Sequence, residues 1–169
     1  PHDVLFQMMQ YSDIIFGDQN EWEVASGVPH IPFEALDENY EIDKEAYLAY
    51  FRKMHHLFPK CKKMVMAVRN QIASSHHTLS GLLYDAVEDQ LYTTRIYDIE
   101  PIVDPMGVGD AFVAAYIHAH QKWGDKNQYC LDFSLSASAI KNTIPGDQNL
   151  VSEEEIINNM TSSGGRIQR

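Results

Sequence analysis

The sequence predicts an α/β fold with a largely parallel sheet. Two observations point there. Short apolar runs alternate with longer segments whose apolar residues recur every three or four positions. One run, Met64-Val65-Met66-Ala67-Val68, is continuously apolar, as a strand covered on both faces should be.

The elements follow in order. His2 to Tyr11 has apolar residues at helical spacing, and Asp13 to Gly17 reads as a short buried strand ending at a glycine. Asn20 to Ser26 is a short helix closed by Gly27. Residues 28–42 hold two prolines and a block of acids, and read as an irregular loop. Asp43 opens a helix through Phe58, with Tyr47, Tyr50, Phe51, Met54 and Leu57 on one stripe, and Pro59 stops it. The aromatic stripe reads as core. After the 64–68 strand come extended stretches at His77 to Tyr84 and Leu91 to Tyr97. Helices are predicted from about Gly109 to Trp123, Gln128 to Asn142 and Glu153 to Met160. Ser162 to Gly165 reads as a loose tail.

At 169 residues the chain has room for one packed domain. Its net charge of -11, with scattered basic residues, lacks the footprint that nucleic-acid binding requires. An acidic protein can still hold an anionic nucleotide locally, through backbone N–H groups, a helix start or Mg²⁺. Cys61 and Cys130 are the only cysteines, so a disulfide framework is not expected and a reducing cytoplasm is. No apolar run approaches the roughly 18 residues of a membrane span. Pro1 is not a natural start, and the chain is expected to begin inside a longer protein or to have been trimmed. The eight histidines include no pair at zincin spacing, and no Cys-x-x-Cys exists, so a structural transition-metal site is not expected.

The segment richest in chemistry is Asp104-Pro105-Met106-Gly107-Val108-Gly109-Asp110-Ala111-Phe112. Gly107 and Gly109 leave the backbone free of Cβ obstruction just before a helix, so its first amides can converge on an anion. Asp110 points its carboxylate toward the same place, where it could take a proton from an attacking hydroxyl. A plain helix cap fits the same residues, because Asp is a preferred N-cap type. A dinucleotide fingerprint would need glycine where Phe112 stands, and a Walker-type loop would need Lys and Ser/Thr where Asp110-Ala111 stand.

This segment resembles the second signature of the ribokinase-type (PfkB) carbohydrate kinases, Asp-Thr-Thr-Gly-Ala-Gly-Asp-Ala-Phe. The resemblance implies that Asp110 is the catalytic base and that the amides of Gly107, Val108 and Gly109 form the anion hole for the transferred phosphoryl group. Pro105 and Met106 replace the family's threonines, which puts in question the monovalent-cation site that relatives build near Asp104. Ala137 to Asp147 is similar to the late helix and turn bordering the nucleotide base in family members acting on 2-keto-3-deoxygluconate. That likeness marks Ala139, Asn142 and Gly146 as nucleotide-binding. Ala67-Val68-Arg69 lies where relatives carry Thr-x-Arg or Thr-x-Gly, leaving Arg69 as the phosphate contact, with a plain surface arginine as the alternative. An Asn-x-x-Glu motif that serves Mg²⁺ in the family falls on Asp18 and Glu21 without a gap, or on Asn20 and Glu23 after a slide of two. A solvated acidic helix face is the plain alternative.

The resemblance implies a ribokinase-like three-layer α/β/α domain of which residues 1–169 are only the later, ATP-binding and catalytic part. The amino-terminal sugar-binding and lid part would lie elsewhere. It further implies ATP and Mg²⁺, a sugar-acid substrate such as 2-keto-3-deoxygluconate, and no nucleic-acid or membrane partner. A homo-oligomer of the full-length protein is compatible with it. A nucleotide-binding but inactive remnant of such a kinase is the competing expectation.

Overall fold

The apolar run at 64–68 lies inside the longest strand, and the sheet is organised around it. The structure, a computed structural model, describes residues 2–32, 40–162 and 166–167. Helix α1 (His2–Met9) leads into strand β1 (Ile14–Gly17), helix α2 (Gln19–Ser26) and helix α3 (Lys44–Leu57). Strands β2 (Lys63–Ala73), β3 (His76–Asp85), β4 (Gln90–Thr93) and β5 (Tyr97–Ile99) follow. Helices α4 (Val108–Trp123), α5 (Asn127–Lys141) and α6 (Glu153–Thr161) and the short strand β6 (Arg166–Ile167) complete the order.

The sheet order is β1-β2-β3-β5-β6, with β4 also paired to β3. It is mixed rather than largely parallel. β1 runs parallel to β2 and β5 to β6, while β3 is antiparallel to each of β2, β4 and β5. The reason is connection length. Ser74-Ser75 joins β2 to β3 and residues 86–89 join β3 to β4, whereas a parallel pair needs a crossover of about a dozen residues or more. The stretch predicted as one strand at 91–97 is two. Thr94 Oγ accepts from the Gly81 N–H at 2.9 Å and donates to the Arg95 carbonyl at 2.6 Å, so the chain turns out of the ladder before β5 resumes it.

Alternation along the central strands builds a core on each face. Met64, Met66, Val68, Leu82 and Tyr84 pack against Trp22 of α2 and Tyr47, Tyr50, Phe51 and Met54 of α3. Val65, Leu79 and Leu83 pack against Phe112, Tyr116, Leu131, Phe133 and Ile156 from α4, α5 and α6. The result is three layers, α/β/α. The α3 stripe is core as expected, with the Phe51 ring stacked on Tyr84 at 5.7 Å. Burying such a ring contributes about 2–3 kcal/mol.

Helix α5 is buried on nearly every side, and its small residues let α4 and α6 approach closely. Ser134, Ser136 and Ser138 donate to the carbonyls of Phe112 (2.6 Å), Ile156 (2.9 Å) and Val108 (3.0 Å). Buried hydroxyls without such partners would be costly. At the start of α5, Lys63 Nζ lies 2.6 Å from Asp125 Oδ1 and 2.7 Å from Asn127 Oδ1. Asn127 in turn donates to Asp85 at 2.8 Å, pinning the helix to β2 and β3.

Residues 33–39 of the expected loop and 163–165 of the expected tail lie outside the described residues. Among the described residues no helix is long and apolar enough to cross a membrane.

Candidate active site

The loop before α4 is held from both sides. Asp104 accepts from the Met106 N–H at 2.9 Å and from the Gly146 N–H at 2.8 Å, one oxygen each. Those two amides, in that order, and then the charge of Lys141, hold its carboxyl below the usual carboxylate range. The Asn142 carbonyl accepts from Val103 N–H at 2.8 Å and Asp104 N–H at 3.2 Å. The turn after α5 therefore fixes the turn before α4.

Gly107 is the N-cap of α4, with φ 73 and ψ 6, in the left-handed region. A Cβ there would stand 2.2 Å from the Asp147 carbonyl oxygen, so glycine is required for both conformation and space. No side chain caps the helix. The first intrahelical bond runs from the Ala111 N–H to the Gly107 carbonyl, leaving the amides of Val108, Gly109 and Asp110 without backbone acceptors among the described residues. A Cβ at Gly109 would meet nothing within 4 Å. Asp110 is the third residue of the helix and not its cap, and its exposed carboxylate has no partner among the described residues.

These groups open onto a cleft of about 350 Å³ between the end of β1, the middle of β2 and the start of α4. It brings together Asp18, Glu21, Arg69, Val108, Gly109 and Asp110, with Ser138 and the methyl of Ala67 in its wall. Asn20 and Glu23 do not line it; Glu23 is engaged with the main chain and ring of His30 instead. Asp18 and Glu21 form a reciprocal capping box on α2: Asp18 accepts from Glu21 N–H at 2.8 Å and Glu21 from Asp18 N–H at 2.9 Å. Each keeps a second oxygen for other partners. Among the described residues no three His, Cys, Asp or Glu side chains converge on a metal position.

The other expected nucleotide contacts are not at the cleft. Ala139 is fully buried in the helix layer, because α5 has neighbours on nearly all sides. Asn142 is buried too, its amide donating to the Ser138 carbonyl at 3.0 Å. Gly146 is exposed, but its N–H is spent on Asp104. As placed, Asn142 and Gly146 shape the loop before α4 and do not line the cleft. Sequence reasoning passed over Ser138 and Lys141, which brace the same loop; the one available signal was an all-round small and apolar α5, the pattern of an enclosed helix.

No family model and no curated protein matches the sequence. Solved structures do match. The 2-dehydro-3-deoxygluconokinase of Thermotoga maritima aligns with TM-score 0.80 and 27% identity, over 95% of this chain and 45% of that one. A PfkB family carbohydrate kinase of Listeria grayi aligns with TM-score 0.74 and 25% identity, over 92% and 43%. The fold is that of the PfkB-family carbohydrate kinases. An Arabidopsis thaliana ribokinase, solved with ribose and ATP, shares the fold at TM-score 0.61 and 18% identity. The chain spans less than half the length of each of these PfkB-type kinases, 43–45%.

Proposed function

We propose that residues 1–169 are the carboxyl-terminal, ATP-binding and catalytic part of a kinase that phosphorylates a primary hydroxyl on a small sugar acid. The observation that carries this reading is the uncapped start of α4, where free amides and the unpaired Asp110 carboxylate share one cleft with Arg69. Helix-start amides and a nearby cation suit an anionic phosphoryl group. In this reading the substrate hydroxyl gives its proton to Asp110 and its oxygen attacks the γ-phosphorus of ATP. The bond to the ADP oxygen breaks, and the amides of residues 107–110 and Arg69 take up the charge that develops on the phosphoryl oxygens.

Mg²⁺ fits as an ion carried in with the nucleotide. The free oxygens of Asp18 and Glu21 could hold its waters, which is how Mg²⁺ is bound where few carboxylates serve it. Such an ion would neutralise charge on the phosphates. Likeness to the Thermotoga enzyme favours 2-keto-3-deoxygluconate as substrate, with the 6-phosphate as product, and two free cysteines suit a reducing cytoplasm.

The chain as it stands is read as binding nucleotide without phosphorylating sugar. β1 is an edge strand among the described residues, and beside it Leu5 of α1 and Val24 of α2 are exposed at a hollow of about 580 Å³ also lined by Ile15, Phe16 and Trp22, with Val4 and Met8 exposed elsewhere on α1. An open edge flanked by apolar surface asks for further strands. With the share of the relatives' length that is matched, this points to an amino-terminal part that supplies the sugar site and lid. A coupled ADP-release assay with 2-keto-3-deoxygluconate tests it. Activity should be absent from residues 1–169 and present when that part is restored, covalently or as a separate chain. Robust turnover by the 169-residue chain would overturn this division of labour.

A further inference from the structure

Lys141, the last residue of α5, is fully buried. Its Nζ lies 2.9 Å from the Ile144 carbonyl oxygen and 3.4 Å from that of Asp104. Among the described residues no carboxylate is in ion-pair contact with it. A buried charge is costly unless it is matched, and here main-chain carbonyl dipoles, the negative end of α5 and, at longer range, the Asp104 carboxylate do the matching. A +1 charge surrounded by carbonyl oxygens is the setting in which potassium or ammonium ions are held by proteins.

The two carbonyls belong to the two turns that fix the phosphate loop. One is the turn from Asp104 into Gly107; the other is the turn from Ile144 to Asp147, whose carbonyl lies against Gly107. An inorganic ion placed between these carbonyls would meet the Lys141 ammonium. The residues present therefore do not fit the monovalent cation that the family resemblance implies near Asp104.

We propose that the Lys141 ammonium is a tethered cation: it clamps the Asp104 and Ile144 carbonyls in place of an inorganic ion, so the phosphate loop is formed without potassium. The role of that loop in binding phosphate rests on the function proposed above; the clamp itself does not.

The test compares the 169-residue chain in potassium chloride and in tetramethylammonium chloride at equal ionic strength, reading the thermal midpoint and ATP affinity. The wild type should show the same midpoint in both salts and affinities within about twofold, since the site is already filled. Lys141→Met, which keeps volume and removes charge, should melt about 5 °C lower in both salts because two carbonyls lose their donor. Lys141→Ala leaves room for an ion, and potassium or methylammonium chloride should restore at least about half of its lost midpoint where tetramethylammonium does not. A wild-type affinity or midpoint that climbs steeply with potassium would overturn the proposal, and so would a Lys141→Ala chain as stable as wild type or indifferent to small cations. Should Lys141→Ala not fold in any salt, the wild-type comparison and Lys141→Met still decide. Absence of ATP binding in both salts, with the stability pattern as expected, would sink the kinase reading and leave the clamp standing.

Discussion

Helices α6 and α4 begin in opposite ways. At α6 the chain closes its own helix start: Ser152 Oγ accepts from the Glu155 N–H at 3.2 Å and Glu155 accepts from the Ser152 N–H at 2.9 Å. Asp18 with Glu21 does the same for α2, and Asp43 accepts from the Ala46 N–H at 3.0 Å for α3. At α4 the cap position is Gly107, a side chain there is excluded by the Asp147 carbonyl, and the following amides stay open. Side chains thus cap three helix starts, while those of α4 and α5 have no side-chain cap. Of these two, the start of α4 faces a cleft with a carboxylate and a guanidinium.

The sharpest way to break this contrast is at Asp110. In the complete kinase Asp110→Asn should cut turnover by about 100-fold or more, the scale of a lost general base. Because its carboxylate is exposed and unpartnered, stability should move by less than about 0.5 kcal/mol. Steady-state rates with parallel denaturant melts check both, and near-normal turnover would remove Asp110 from the chemistry. Gly107→Ala comes next. A left-handed alanine pressed against the Asp147 carbonyl should lose about 2 kcal/mol or more in urea unfolding. Gly109→Val separates ligand from fold, since its side chain meets no protein atom close by. ATP affinity should drop by about tenfold while adenosine affinity holds, and calorimetry with both ligands shows whether they part. If both fell together, the loop would be structural. Smallest is Ser152→Ala, which should destabilise by about 1 kcal/mol and leave ATP binding untouched.

The same contrast explains what could be read from the sequence. Gly107, Gly109 and Asp110 stood out because two glycines one residue apart clear the backbone at a helix start, and of the two Gly107 is the one in the left-handed region. The helices were legible to within a residue or two because caps such as Asp43 and stops such as Pro59 are local signals. Strand direction was misread although the information was present: connectors such as Ser74-Ser75 cannot support a parallel crossover. The burial of Ala139 and Asn142, which keeps them off the cleft, was not legible for another reason. Proximity to a cleft is set by how α5 packs between α4, α6 and the sheet, and no local pattern records that. Lys141 at a helix end reads as an ordinary surface cation complementing the dipole, and only tertiary packing turns it inward.

Helix α5 sets a timescale as well as a position. Enclosed by neighbouring elements and fastened by Ser134, Ser136 and Ser138, it can expose its amides to solvent only when the layer around it comes apart. Its amide protons should therefore be among the slowest in the chain to exchange with deuterium, at the rate of global opening. Those of β1, with a partner on one side only, should exchange through smaller openings. The loop before α4 is hung from the slow half of the molecule and looks out on the fast half, so the cleft can breathe at one wall while the start of α4 keeps its shape.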